Sequence, residues 1–167
     1  MKLLCLDSNS IINRAFYGIR MLNAPDGTPT NAVYGFLSTF RRVFDLAQPQ
    51  AVCVAFDVHA PTFRHEQYAL YKAQRKPMPE ELAVQMPLLK QTLDYMGVRR
   101  LELAGWEADD LIGTISRKCE AAGWDCVAAT GDKDSLQLIT EHTTVKIIST
   151  RMGQTTTKEM TPDSFRE

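Results

Sequence analysis

No stretch of this 167-residue chain approaches the roughly 20 consecutive apolar residues that a membrane-spanning helix requires. Its start, MKLLCLDSNS, is too short and too soon acidic for a secretory signal, so a cytosolic chain is expected. The cysteines form no CxxC pair. Cys5, Cys53 and Cys126 sit inside apolar runs and Cys119 on the apolar stripe of an expected helix, so buried free thiols are predicted rather than disulfides or a zinc site. Histidine is scarce, and His59, His65 and His142 share no ligand spacing. No Ser–His–Asp or Cys–His constellation competes for a hydrolytic role. Repeats, low-complexity tracts and internal linkers are also missing, which leaves one domain over residues 1–167. Nor is there an excess of positive charge: the formal net charge is −1. That average disfavours a nucleic-acid binder only if the acids are evenly spread, because a metal-neutralised acid cluster inside a basic shell still attracts phosphate.

The acids are not evenly spread. Four apolar runs end on or just before one: LLCL at Asp7, AVCVAF at Asp57, VRRLELAGW at Glu107, Asp109 and Asp110, and DCVAATG at Asp132 and Asp134. If these runs are neighbouring parallel strands, up to seven carboxylates converge on one sheet edge, where α/β proteins place their sites. Such crowding demands cations, and all-oxygen donors select hard ions such as Mg²⁺ or Mn²⁺. Setting these seven acids aside leaves a formal +6 on the remainder. Two divalent ions ~3.5–4 Å apart can hold the attacking and leaving oxygens of a phosphoryl transfer. Each motif alone has a plainer explanation. Glu107, Asp109 and Asp110 complement a helix dipole, with Glu107 and Asp110 on one side and Asp109 pointing elsewhere. Asp132 is a good N-cap. Their joint occurrence at strand ends favours a shared metal site.

The periodicity alternates strands and helices. Strands are expected over 2–6, 51–56, 98–103, 125–129 and 145–148. A helix over about 31–46, capped by Thr30, carries Val33, Phe36, Leu37, Phe40 and Phe44 on one face. Another follows Pro79 with Leu82, Met86, Leu89, Leu93 and Met96, is kinked or split by Pro87, and stops at Gly97. A third opens at Glu107 with Leu111, Ile112, Ile115 and Cys119 inward and ends at Gly123. A short helix is expected around 133–139, and RMGQTTTKEM suggests a hairpin turning at Gly153. The fold class is therefore α/β, a mostly parallel central sheet of about five strands flanked by helices.

Residues 58–78, VHAPTFRHEQYALYKAQRKPM, break the pattern. They lack an apolar stripe and carry Arg64, Lys72, Arg75 and Lys76 against Glu66 alone, with Phe63, Tyr68 and Tyr71 interleaved. Long connections beside a site are commonly functional. Cations bind phosphates and tyrosine stacks on bases, and Lys72 or Arg75 is placed to stabilise charge on a scissile phosphate. A solvated surface segment is the alternative. Arg14 and Arg20, soon after Asp7, either reach a phosphate or are ordinary surface charges.

The blocks LDSNSIINRAFYGI, DGTPTNAVYGF, VAFD, TFRHEQYALYKAQRKPMPEEL, GWEADDLIGT and TGDKDSLQL cover nearly the whole chain in order. Together they resemble the flap-endonuclease family of 5′-nucleases with a PIN-like fold, which includes the N-terminal 5′-3′ exonuclease domain of bacterial DNA polymerase I. The resemblance implies a metal-dependent nuclease acting on DNA with 5′ flaps or nicks and on RNA–DNA primers in replication and repair. A polymerase domain on the same polypeptide and a nucleoid-associated location are implied with it. It implies that Asp7, Asp57, Glu107, Asp109 and Asp110 surround a first ion, Mg²⁺ or Mn²⁺, and that Asp132 and Asp134 belong to a second. It further implies that Arg14, Arg64, Tyr71, Lys72 and Arg75 contact substrate, that Lys72, Arg75 and Asp132 are catalytic, and that residues around 61–78 form part of a helical arch. Asp7-Ser8 departs from the family's usual Asp-Gly. The family continues past TPDSFRE into a helix–three-turn–helix that grips duplex DNA and supplies more aspartates. The second ion's ligands are therefore expected to be incomplete here, and activity of this chain alone weak or absent. The rival expectations are a non-catalytic nucleic-acid-binding module and a PIN-type ribonuclease. A haloacid-dehalogenase-type phosphatase fits poorly, since LDSNS lacks the second aspartate two residues after the first.

Overall fold

The structure, a computed structural model, describes residues 1–58, 62, 64 and 77–165. Among these, six strands form one sheet: β1 (Lys2–Asp7), β2 (Ala51–Ala55), β3 (Arg99–Leu101), β4 (Asp125–Thr130), β5 (Thr143–Arg151) and β6 (Gln154–Met160). Their order is β3-β2-β1-β4-β5-β6. All neighbours pair in parallel except β5 and β6, which form an antiparallel hairpin. Among the described residues, five α-helices accompany them: α1 (Ser8–Gly18), α2 (Asn31–Ala47), α3 (Glu80–Ala83), α4 (Gln85–Tyr95) and α5 (Ala108–Ala121).

The sheet is covered on both faces, as near-continuous apolar strands require. One face carries Leu4, Leu6, Val54, Val127, Ala129 and Ile148 against Ile11 and Ile12 of α1, Phe36 and Phe40 of α2, and Leu89 and Leu93 of α4. The other carries Cys5, Cys53, Ala128 and Val145 beneath Ala108 and Ile112 of α5. Phe36 and Phe56 are fully buried, each stabilising by ~1.5–3 kcal/mol. All four cysteines are free and buried, as expected, and burial pushes the Cys126 thiol up to about 12.

The α/β class holds, with differences of extent. The sheet has six strands rather than about five, because the hairpin turning at Met152–Gly153 adds β6. The third strand is shorter than 98–103, and the fifth is longer than 145–148. Helix α1 was not predicted at all. Pro87 splits its helix: lacking an N–H, it cannot bond the Ala83 carbonyl, and α3 ends there. Met96 and Phe44 lie on the expected stripes but are substantially exposed. Thr30 occupies the N-cap of α2 without capping it; its hydroxyl donates to the Leu22 carbonyl instead (3.2 Å). Buried Gln85 does the capping, its Oε1 accepting from the N–H groups of Ala32 (2.8 Å) and Val33 (3.1 Å).

Candidate metal centre

The strand order reverses between β1 and β4, and the carboxyl ends of these two strands form the crevice where open α/β sheets bind ligands. Asp7 ends β1 there. It is almost wholly buried and also serves as the N-cap of α1, its Oδ1 accepting from the Ser10 N–H (3.1 Å). Its Oδ2 accepts from the buried Thr130 hydroxyl at the end of β4 (2.8 Å). Burial raises the Asp7 pKa, these two hydrogen bonds oppose the rise, and the charges of Asp57 and Asp132 add to it. The first turn of α1 ties the neighbouring strand ends to Asp7. Asn9 Nδ2 donates to Asp57 Oδ2 (2.8 Å), and the Gly131 N–H donates to the Ser10 hydroxyl (2.8 Å). Asp57 also accepts from the Ala108 N–H at the start of α5 (2.7 Å), which locks β2 to that helix.

Helix α5 delivers Glu107 from its N-cap and Asp109 and Asp110 from its first turn. Asp110 returns to the Glu107 N–H (3.0 Å) in a capping box, so the plainer explanation is realised for this pair. Asp109 behaves differently. Desolvation, then the charges of Asp7, Asp132, Asp57 and Glu107, push its pKa up to about 6. Its side chain remains exposed, so the crowding of like charges is the more dependable cause. Sequence spacing suggested that Asp109 pointed away from its partners. In the structure Asp109 faces the acids of other elements, and Asp110 turns to Arg64. The Arg64 guanidinium grips Asp110 through two bonds of 2.7 Å and reaches Glu107 Oε2 at 3.4 Å. On the β4 side, the Asp132 carboxylate accepts from the Asp134 N–H (3.0 Å) at the start of a 3-10 helix, Lys133–Leu138. Arg14 donates to the Gly131 carbonyl, and a Cβ built at Gly131 would fall on its guanidinium, so a side chain there would push Arg14 aside.

Five carboxylates thus share one electrostatic neighbourhood. Their donor set is all oxygen, which fits a hard divalent cation. Among the described residues, no three of these side chains stand close enough together to hold an ion.

Residues 2–167 match the family model described as the 5′-3′ exonuclease, N-terminal resolvase-like domain. The chain belongs to this family. The DNA polymerase I of Caldicellulosiruptor bescii is 39% identical over 167 residues, covering all of this chain and 20% of that protein. That of Bacillus subtilis is 40% identical over 166 residues, 99% of this chain and 19% of the protein. The chain therefore spans about a fifth of these relatives' length. Among solved structures, T5 5′-exonuclease with bound zinc ions superposes with a TM-score of 0.72 at 20% identity, covering all of this chain and 60% of that one. A T5 flap endonuclease complex with DNA and metal ions gives 0.66 at 19% identity, over 87% and 54%. These two likenesses establish the 5′-nuclease fold.

Within that family fold, the charges of Asp7, Asp57, Glu107 and Asp132 all act on Asp109. Asp110 is engaged by Arg64, and Asp134 is exposed on the 3-10 helix. Arg14 lies beside the ring at Gly131. Tyr71, Lys72 and Arg75, with most of the expected arch, lie outside the described residues. Sequence reasoning missed Asn9, Ser10 and Thr130, which hold Asp7 and Asp57 in place. Their signal was a cluster of small polar residues directly after an apolar strand.

Proposed function

We propose that this chain is the metal-binding core of a 5′-nuclease that hydrolyses phosphodiester bonds near 5′ ends and junctions of DNA or RNA–DNA. The observation that carries the proposal is the mutual repulsion of Asp7, Asp57, Glu107, Asp109 and Asp132 at the sheet's reversal point. The family match and the relatives named DNA polymerase I support the activity. The T5 enzymes, crystallised with metal ions and in one case with DNA, support a divalent cofactor and a nucleic-acid substrate. We assign Mg²⁺ or Mn²⁺, with two ions in the complete site, Asp134 joining Asp132 toward the second.

Asp7, Asp57, Glu107, Asp109 and Asp132 would hold the cation, which when bound would supply Lewis-acid charge at phosphoryl oxygens. The protein's own part is positional. Thr130, Ser10, Asn9 and the Ala108 N–H fix the directions of Asp7 and Asp57. Arg14, anchored on Gly131, presents fixed positive charge beside them for a phosphate. Lys72, Arg75 and Tyr71 would act from the connection between β2 and α3. DNA with 5′ flaps or nicks, RNA–DNA primers and a polymerase domain on the same polypeptide are the proposed partners, in a nucleoid-associated cytoplasmic setting.

The test is cleavage of a 5′-labelled flap in Mg²⁺, in Mn²⁺ and in EDTA, by a version restored to full length. Metal-dependent release of the flap, lost in Asp132→Ala, is expected. Cleavage untouched by Asp132→Ala would refute the metal role. Flap binding by anisotropy without hydrolysis in either metal would instead select a non-catalytic binding module, and preference for unpaired RNA a PIN-type ribonuclease.

A further inference from the structure

Arg64 makes the closest cationic contact with the acid ring among the described residues. Its two terminal nitrogens hold both oxygens of Asp110 at 2.7 Å, and one of them also reaches Glu107 at 3.4 Å. The contact is well shielded: about a third of the Arg64 side chain is exposed, and 10% and 17% of Glu107 and Asp110. Glu107 is also one of the charges acting on Asp109. One monovalent guanidinium therefore neutralises one flank of a ring whose other members repel each other.

A divalent ion and this guanidinium seek the same oxygens by incompatible geometries. The planar fork takes both Asp110 oxygens side by side at hydrogen-bond distance. Mg²⁺ demands ~2.0–2.1 Å contacts in a near-octahedral arrangement. Two cations sharing one carboxylate pair also repel each other. We infer that Arg64 is a resident counter-cation, which a divalent ion must displace from Asp110 and Glu107 in order to bind. The inference rests on the proposed metal site and adds that the metal-free site is already charge-compensated from within. By linkage, whatever draws Arg64 away strengthens metal binding, and metal binding frees Arg64 by the same factor.

The experiment is Mn²⁺ binding by titration calorimetry to the wild type, Arg64→Met and Arg64→Lys, without substrate. Arg64→Met is expected to bind Mn²⁺ roughly tenfold tighter, within the usual range of coupling. Its metal-free melting temperature should fall, and the rise on adding Mn²⁺ should grow. Arg64→Lys, which keeps the charge without the fork, should lie between. Equal or weaker Mn²⁺ binding by folded Arg64→Met overturns the inference alone. No Mn²⁺ binding by either protein overturns the metal reading beneath it. If Arg64→Met does not fold, arginine side-chain NMR of the wild type decides. The Arg64 guanidinium N–H signals, protected by the ion pair, should lose protection as Mg²⁺ is added, and unchanged protection overturns the inference.

Discussion

Raising the pH of the metal-free protein from 5 to 7.5 should destabilise it. The Asp109 pKa rises from 3.8 to about 6 on folding. Between those values the folded state holds a proton that the unfolded chain has already released, so stability is full below the unfolded value and lost as pH climbs through about 6. A shift of about two units corresponds to ~3 kcal/mol if the carboxylate were sealed from water. Asp109 is exposed, and solvent screening reduces the effect to ~1 kcal/mol. For a chain of this length that lowers the melting temperature by ~2–4 °C. Asp7, raised by burial and by the same neighbours, pushes in the same direction. The assay is thermal unfolding in EDTA across this pH range, repeated with Asp109→Asn and with Mn²⁺. The substitution should flatten the slope, and Mn²⁺ should restore stability at pH 7.5 by binding the ionised ring. Stability that rises with pH in EDTA, or an identical slope in Asp109→Asn, would refute the crowding argument.

Three further expectations follow from individual contacts. Thr130→Val removes the hydroxyl that donates to buried Asp7 and accepts from the Asp132 N–H (3.0 Å); it should cost ~1–3 kcal/mol in urea unfolding and push the Asp7 pKa higher still, visible in a carboxyl-carbon NMR titration. Gly131→Ala places a methyl where the exposed Arg14 guanidinium lies and pushes it off the Gly131 carbonyl, so it should weaken flap binding measured by anisotropy with little loss of stability in urea unfolding. Gln85→Leu strips the cap from two N–H groups of α2 and the donor from the Asn31 side-chain Oδ1, and should lower stability by ~2–4 kcal/mol with no change in Mn²⁺ affinity.

The parallel strands and the acids at their ends were legible because strand burial writes itself as uninterrupted apolar runs, and an acid at the end of such a run is conspicuous. Helix α1 was hidden for the same reason that it matters. Its opening, Ser8-Asn9-Ser10, is polar because Ser8 bonds to Asn9, Asn9 to Asp57 and Ser10 to Gly131, and its apolar stripe is reduced to Ile11, Ile12 and Ala15. Asp7 was read as a strand-end ligand, but its second duty as the N-cap needed the helix to be known. The exchange of roles between Asp109 and Asp110 was equally hidden. Spacing gives their angle around α5 but not the arrival of Arg64 from more than forty residues away. Gln85 looked like an ordinary polar residue at a helix start, because nothing local marks a side chain whose partners lie fifty residues earlier.

Strand β1 pairs along its length with β4, which follows it by more than a hundred residues, Lys2 meeting Asp125. A growing polypeptide must therefore reach about residue 130 before one side of its central strand is satisfied. Until then Asp7 has no Thr130 hydroxyl to hold it and no Asp132 beside it. The carboxylate cluster therefore stays incomplete until β4 has been made, and a truncated product that stops short of β4 is left with an unpaired strand edge prone to self-association.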